Sequence, residues 1–358
     1  MLTNFDKADV PEFVLGLKRK RQMKKSLPLL FFLLAFSFPV EQVSAAQADL
    51  IEKAKQEKEL SFYTNLNIGE SKPWLDAFEK KYPFIKTQLV RVGGTAIASR
   101  VLTEAQTGRH LWDVAGPLML YAKEILKKGL VAPYQSPERK FFRDEFKDKE
   151  GLWTALVLNN STMMYNTELV PPNMAPKSYD DLLQPFWKGK ISMDTELYEW
   201  FEGQLRVRGR EKGLEFMRKL KAQGPVFRRG RTAQAELVAA GEFAVTVEVY
   251  AHRAQEIKDK GAPINWVAVE PVLIHLLVGL IAKNGQHPNA ARLFMDFILS
   301  KEGQTKVRDE GRVPARSDVP PIPPELMKKE WKVEIVGLVE DIAEARKLYA
   351  EIFGLPTR

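Results

Sequence analysis

Two long extended runs most constrain how this chain can fold. Residues 153–167 (WTALVLNNSTMMYNT) form one β-type stretch, and residues 261–285 (GAPINWVAVEPVLIHLLVGLIAKNG) form another. Around them, shorter predicted strands alternate with helices, which indicates α/β units. Two α/β lobes joined by two extended crossings explain this order. The cleft between two such lobes is where a ligand would bind.

The alternating pattern sets the predicted lobe boundaries. Residues 46–156 together with 272–358 are assigned to lobe 1, and residues 157–271 to lobe 2. Within lobe 1, residues 287–304 (HPNAARLFMDFILSKEGQ) are predicted to form an amphipathic helix. The pattern does not assign a role to the C-terminal helix predicted within 333–353.

The N-terminal region has the three parts of a secretory signal peptide. Lys24 and Lys25 form a basic start, residues 27–38 form a short apolar stretch, and small residues follow at 43–46. The apolar stretch is too short to span a bilayer comfortably. We therefore expect residues 23–45 to be a signal peptide and residues 1–22 to reflect a translation start placed too far upstream. The expected product is an exported periplasmic protein, and without a cysteine it cannot be a lipoprotein.

The composition excludes several classes of function. The chain has no cysteine, so disulfides, thiolate metal sites and cysteine nucleophiles are absent. Residues 46–358 contain 47 Lys and Arg against 42 Asp and Glu, a net charge of +5. This mild excess fits an anionic ligand or partner but falls short of a nucleic-acid footprint. We expect a monomer that binds no nucleic acid.

No catalytic set emerges from the sequence. The four histidines, at 110, 252, 275 and 287, form no metal-type pair at three- or four-residue spacing. His275 lies in an apolar run and is interpreted as a core residue. Phosphate-binding, dinucleotide-binding and nucleophile-elbow motifs are absent, and no carboxylate pair stands out as acid and base. A binding protein is favoured over an enzyme, with a secreted enzyme on the same scaffold as the lower-ranked alternative.

Several stretches, in one order, carry a resemblance to a known family. They include LKKGLVAPYQSPE, MMYNTELV, FWKGKI, LVAAGE, KGAPINWVAVEP and GRVPARSDV. The chain resembles the solute-binding proteins of ABC importers in the ferric-iron-binding group, over nearly all of residues 50–320. The resemblance implies a type II periplasmic binding-protein fold with two mixed α/β lobes and a two-crossing hinge. It also implies closure on a solute and delivery to an inner-membrane permease, with no cofactor unless Fe³⁺ is the transported ligand.

The resemblance leaves two ligand sites open. Relatives that bind iron commonly use two adjacent tyrosines where this chain has only Tyr250, flanked by Val249 and Ala251. Tyr63, Tyr198 and Tyr250 are nevertheless expected near the cleft and could form an unconventional ferric site. Glu248, which shares a strand face with Tyr250, could join it.

The second possible site would bind a small organic or phosphorylated anion. Gly-Gly-Thr ending at Thr95 and Gly-Arg-Thr at 230–232 each precede a predicted helix, and helix N-termini offer N–H groups to anions. Arg231 would add a planar donor for carboxylate or phosphate, and Thr232 a hydroxyl group. Thr64 and Asn65, after the first strand, could donate further hydrogen bonds. The anion is slightly favoured over iron.

Overall fold

The structure is a computed structural model that describes residues 45–93, 96–338 and 342–356. The predicted upstream segment 1–22 and nearly all of the predicted signal peptide 23–45 lie outside these residues. So does Thr95. Within the described part of the chain, no helix is long and apolar enough to cross a membrane.

Strands and helices alternate along the chain, and we number each type in order. The strands are β1 Glu59–Thr64, β2 Lys86–Arg91, β3 Val114–Gly116, β4 Val131–Ala132, β5 Thr154–Asn166, β6 Ile191–Asp194, β7 Val226–Arg228, β8 Val245–Tyr250, β9 Ile264–Val267, β10 Val272–Ala282, β11 Val313–Pro314 and β12 Val333–Val336. The α-helices are α1 Ala45–Glu57, α2 Ile68–Lys81, α3 Ala96–Gln106, α4 Met119–Lys127, α5 Tyr198–Arg208, α6 Arg210–Ala222, α7 Arg231–Ala239, α8 Ala251–Asp259, α9 Pro288–Leu299, α10 Lys301–Asp309 and α11 Ile342–Phe353. Short 3-10 helices lie at Pro137–Phe141, Asp144–Phe146, Pro172–Met174, Tyr179–Leu183, Pro185–Trp187 and Pro324–Leu326.

The strands form a mixed sheet arrangement in the order β2-β1-β3-β10-β5-β8-β6-β7. β1 runs parallel to β2 and β3, and β6 runs parallel to β7 and β8. Between these groups lie the antiparallel strands β5 and β10, which pair with each other. β5 lies within the first extended run of the sequence, whereas the second run contains both β9 and β10. Every residue of β5 and β10 is buried, and burial on both faces explains the nearly continuous apolar sequence of β10.

Two main hydrophobic cores correspond to the two lobes. The first is built around β1, β3, α2 and α9, and the second around β6, α5 and α6. A smaller cluster between α7, α8 and β8 adjoins the second. β5 contributes Leu158 to the first core and Met163 to the second, so this strand passes from one lobe to the other. We use lobe 1 and lobe 2 for the elements around the first and second cores.

The C-terminal helix packs in lobe 2, which corrects its assignment to lobe 1. α11 contacts α5 and α6, and its Tyr349 and Phe353 belong to the second core. The preceding strand β12 pairs in parallel with the start of β10. Its last two residues, Ile335 and Val336, belong to the first and the second core respectively. The chain therefore crosses back to lobe 2 once more after β10.

The predicted amphipathic helix at 287–304 is two helices. α9 buries Leu293, Phe294, Phe297 and Ile298, as its spacing predicts. It ends at Ser300, whose side chain then caps α10 by accepting a hydrogen bond from the backbone N–H of Gly303 at 3.2 Å. The break follows from this N-cap.

Candidate functional site

A cleft of about 1030 Å³ lies between elements of the two lobes. Lobe 1 contributes Asn67 and Glu70 at the start of α2, and Leu120 and Tyr121 from α4. The remaining lining residues come from lobe 2, including its helix α11, and from α8. They include Asp194, Tyr198, Arg231, Thr232, Tyr250 and Arg346. The cleft is therefore placed where the predicted lobes would close on a solute.

Arg231 is the first residue of α7 and is held by an ion pair. Its Nε donates to Oε2 of Glu248 at 2.7 Å, and the Arg231 side chain is 23% exposed while that of Glu248 is fully buried. The Nη2 atom of Arg231 is buried and has no hydrogen-bond partner within the described residues. Gly230, the preceding N-cap, has a φ of 98°, a conformation that glycine adopts readily. The Arg231 guanidinium is thus held at the start of a helix by Glu248, and its Nη2 group remains available to donate hydrogen bonds.

A buried network supports this ion pair from below. Oε1 of Glu248 accepts from Ser161 Oγ at 2.6 Å and lies 2.9 Å from Nε2 of His275. Nδ1 of His275 lies 3.2 Å from Oε2 of Glu199. Burial alone would lower the pKa of His275, but the two carboxylates raise it to about 9. His275 is therefore a cation at neutral pH, and it joins two buried carboxylates on different elements.

The charges of the network balance. Burial disfavours the charged form of Glu248, but Arg231 and His275 hold its pKa well below the usual range. The pKa of Glu199 is also lowered, because His275 outweighs its burial. The two carboxylates are matched by two cations, as buried charges require. The network sets the position of Arg231 without adding net charge to the cleft wall.

The spatial order of Ser161, His275 and Glu199 resembles a hydrolytic triad. Ser161 Oγ lies 3.2 Å from His275 Nε2, and Glu199 lies on the other side of the imidazole ring. Ser161 is buried, however, and its hydroxyl donates to Glu248. A protonated His275 cannot accept the serine proton as a general base would. The arrangement is suited to holding charge in place.

Tyr250 contacts the same network at the end of β8. Its ring lies edge-on to His275 at 5.3 Å between ring centroids, and the Arg231 guanidinium lies 5.2 Å from its centroid. Glu248 also contacts both of these residues, so the two side chains share a face as the strand spacing predicts. Burial raises the pKa of Tyr250, and Arg231 offsets only part of that effect. The phenol is therefore protonated at neutral pH.

The other candidate residues of lobe 2 line the cleft. Thr232 is exposed at the first turn of α7. Tyr198 begins α5, with its ring packed edge-on against Tyr349 at 5.7 Å. Arg231, Thr232, Tyr198 and Tyr250 are thus brought to one cleft from three parts of the sequence, with Glu248 directly behind them.

The candidates after the first strand do not line the cleft. The Tyr63 hydroxyl donates to Glu104 at 3.0 Å inside lobe 1, and Arg100 lies 4.8 Å over its ring. Thr64 is buried, and its hydroxyl donates to the Gly116 carbonyl at 3.0 Å. Asn65 has a buried side-chain oxygen without a hydrogen-bond partner in the described part of the chain. Tyr63, Thr64 and Asn65 are therefore not among the residues that line this cleft.

One arginine joins lobe 1 to the element that follows β8. Arg312 donates to Glu70 at 2.8 Å, to Asn159 of β5 at 2.6 Å and to Nε2 of His252 at 2.9 Å. His252 lies in α8 and lines the cleft. Its burial lowers the pKa of the imidazole well below the usual range, and the nearby positive charge of Arg312 lowers it further. A neutral imidazole can accept the arginine N–H. Through Arg312, hydrogen bonds therefore connect α2, β5 and α8 beside the cleft.

Sequence reasoning missed several residues of this site. Glu199, Asp194 and Arg346 were not singled out, and His275 was interpreted as an ordinary core residue. An ionisable residue in a continuous apolar strand is the one signal that could have marked His275, since burial of a charge requires partners. Those partners lie far away in sequence.

The family is established by comparison with known proteins. The model of the bacterial extracellular solute-binding protein family matches residues 74–335. The chain belongs to this family. A curated relative, the Fe(3+)-binding periplasmic protein of Serratia marcescens, is 21% identical over 293 residues, 76% of this chain and 79% of the relative. An uncharacterised protein of Haemophilus influenzae is 26% identical over 251 residues, 66% of this chain and 71% of that protein.

Solved structures show the same fold. Iron-bound HitA from Pseudomonas aeruginosa has a TM-score of 0.69 at 19% identity, with coverage of 82% of this chain and 99% of that one. AfuA from Actinobacillus pleuropneumoniae with bound fructose 6-phosphate has a TM-score of 0.68 at 22% identity, with coverage of 83% and 99%. FutA from Trichodesmium with iron and citrate has a TM-score of 0.71 at 18% identity, with coverage of 82% and 99%.

These comparisons confirm the predicted fold and the predicted class of function. The fold is that of two-lobed periplasmic binding proteins, and the chain belongs to a family of bacterial extracellular solute-binding proteins. The structurally similar proteins bind iron in some cases and a sugar phosphate in another, so the fold does not select the solute.

Proposed function

We propose that this solute-binding protein works in the periplasm and captures a small organic anion bearing a phosphate or carboxylate group. The solute is held between the lobes and passed to an inner-membrane permease, with no covalent chemistry. The observation that carries this proposal is the position of Arg231 at the start of α7. Its fork is fixed by Glu248 but keeps unused donor capacity, which suits bidentate pairing with an oxyanion.

The start of α7 adds to the attraction for an anion. The first N–H groups of a helix have no acceptor within the helix, and its N-terminus carries partial positive charge. Gly230, Arg231 and Thr232 all line the cleft at this point. Thr232 brings a hydroxyl group to the same turn. A phosphate or carboxylate here would meet the helix N-terminus and the arginine together.

Ferric iron is the second candidate, favoured by Tyr198 and Tyr250, which both line the cleft. Two observations rank it lower. Tyr63 is turned to Glu104, and arginines line the same wall. Among the described residues, no group of three His, Asp or Glu side chains could hold a metal. A ferric chelate, in which an organic anion meets Arg231, would combine the two candidates.

The test is calorimetric titration of the purified protein with fructose 6-phosphate, fructose, citrate and ferric citrate. The parent should bind at least one of the two anions, fructose 6-phosphate or citrate, without needing iron, and should not bind fructose. Arg231→Lys keeps a cation beside Glu248 but loses the planar fork, so the affinity for the anion should fall about 10- to 100-fold.

Arg228→Ala is the matched control. Arg228 is an exposed arginine at the end of β7 whose side chain donates to the Phe227 carbonyl. Its removal should leave the affinity unchanged. If the parent binds neither fructose 6-phosphate nor citrate in the absence of iron, the proposal is refuted.

A further inference from the structure

The C-terminal helix α11 forms part of the cleft although it lies beyond the stretch that the family model matches. Arg346, on this helix, lines the cleft together with Tyr198 and Tyr121. The Arg346 guanidinium lies 5.2 Å over the ring of Tyr198, a cation–π geometry. Arg346 of α11 thus joins Arg229, Arg231 and Arg253 as the fourth arginine among the described residues that line the cleft.

The helix is anchored where the ligand-binding helix begins. Tyr349 is buried, and its hydroxyl donates to the backbone carbonyl of Asp194 at 2.6 Å. The Asp194 carboxylate in turn accepts from the backbone N–H groups of Gly230 and Glu196, each at 3.0 Å. One short chain of hydrogen bonds thus links α11 to the N-cap of α7. This link fixes the backbone of α11 relative to the start of α7.

Arg346 differs from the other cleft arginines in its charge balance. Three of the arginines that line the cleft are each paired with a carboxylate: Arg229 with Glu196 at 3.3 Å, Arg231 with Glu248 at 2.7 Å, and Arg253 with Glu256 at 2.6 Å and Glu236 at 3.1 Å. Among the described residues, Arg346 has no carboxylate within 4.0 Å. Its neighbours on the helix, Glu344 and Lys347, pair instead with Arg210 and Glu351. Of the four arginines that line the cleft, Arg346 is therefore the one whose charge is not offset by an ion pair with a described carboxylate.

We propose that Arg346 determines specificity by pairing with an anionic group of the solute, with α11 acting as a lobe 2 element of the binding site. This inference rests on the proposed function and names the residue whose charge the solute neutralises. Arg231 donates hydrogen bonds to the solute, but its own charge is offset by Glu248. Arg346 has no such carboxylate partner, so its positive charge is available to attract the solute. A solute with more negative charge should therefore depend on Arg346 more strongly than one with less.

The experiment is calorimetric titration of the full chain and its variants with fructose 6-phosphate and with citrate. Arg346→Ala should weaken whichever of these the parent binds by about tenfold or more. Arg346→Lys should recover part of that affinity because it restores the charge. Lys347→Ala, next to it on α11 and paired with Glu351 at 3.9 Å, is the matched control and should bind like the parent.

A second readout separates a charge effect from a change in structure. For fructose 6-phosphate, the loss in Arg346→Ala should shrink as the pH falls from 7.5 to 5, because the phosphate loses one of its two charges near pH 6. A loss caused by misplaced structure would not follow the charge of the solute. Circular dichroism and the melting temperature should match those of the parent.

The outcomes distinguish the two proposals. If the parent binds neither anion, the proposed function fails and this inference fails with it. If the parent binds an anion and Arg346→Ala binds it equally well, only the role of Arg346 is refuted. An equal loss in Arg346→Ala and Lys347→Ala would also refute it, since the effect would then belong to the helix and not to the unpaired charge.

Discussion

The buried imidazolium of His275 should make the stability of the protein depend on pH. Its pKa lies at about 9 in the folded protein against 6.5 when it is solvated. A rise of this size corresponds to about 3 kcal/mol of stabilisation. Because the folded-state value is the higher one, the stabilisation is fully present below pH 6.5 and is lost as the pH rises through 9. Glu199 and Glu248 are the groups that cause it.

The perturbation is His275→Gln, which removes the cation and keeps a side chain that can form hydrogen bonds. Urea unfolding of the parent and the variant should be measured at pH 6 and at pH 9.5. The parent should be the more stable at pH 6, and the difference should shrink by about 3 kcal/mol at pH 9.5. Subtracting the free energy of unfolding of the variant from that of the parent removes the contribution of groups that titrate equally in both proteins. His110→Gln, outside the network, serves as the control and should show no such change.

Two results would refute this reasoning. A difference between parent and His275→Gln that stays constant between pH 6 and pH 9.5 would mean that the imidazole does not titrate in this range. An imidazole C2–H resonance of His275 that titrates at or below pH 6.5 in the folded protein would mean the same. Either result would leave Glu248 and Glu199 without the shared cation on which the account of the site depends.

Two further substitutions test the placement of residues inside and below the cleft. Tyr63→Phe removes a hydroxyl that donates to Glu104 in lobe 1, so it should cost about 1 kcal/mol in urea unfolding and leave anion affinity unchanged in titration. A large loss of affinity would return Tyr63 to the binding site. Arg312→Ala leaves Glu70 and His252 without their buried donor and should cost about 3 kcal/mol. Arg308, which is partly buried and pairs only locally with Asp309 at 2.8 Å, is the control: Arg308→Ala should cost less than about 1 kcal/mol, and equal effects of the two substitutions would contradict the reasoning.

The sequence predicted the overall arrangement because that arrangement depends on local signals. β5 and β10 appear in the sequence as long extended stretches, and both are buried along their whole length, while the alternation of strands and helices around them marks the two lobes. The Gly-Arg-Thr turn before α7 was recognised because a helix N-terminus has a local signature. Glu248 and Tyr250 were placed on one face by the two-residue period of a strand.

The rest of the site depends on contacts that are distant in sequence. Glu199 and His275 are 76 residues apart, and Tyr349 and Asp194 are 155 residues apart. The position of Tyr63 at the end of a strand predicts that it lies near the cleft. The sequence carries no signal that its side chain points towards Glu104 of α3 instead. The return of the chain to lobe 2 after β12 likewise has no local signal. For that reason α11 and Arg346 were not expected in the cleft.

Native mass spectrometry tests the central claim, that the cleft holds an organic anion, most directly. The protein would be purified from the periplasm of a bacterium that expresses it, and Arg231→Lys and Tyr250→Phe would be prepared in parallel. The account predicts an added mass of a small organic or phosphorylated compound, present in the parent and in Tyr250→Phe and reduced in Arg231→Lys. An added mass equal to iron alone, lost in Tyr250→Phe and kept in Arg231→Lys, would contradict it.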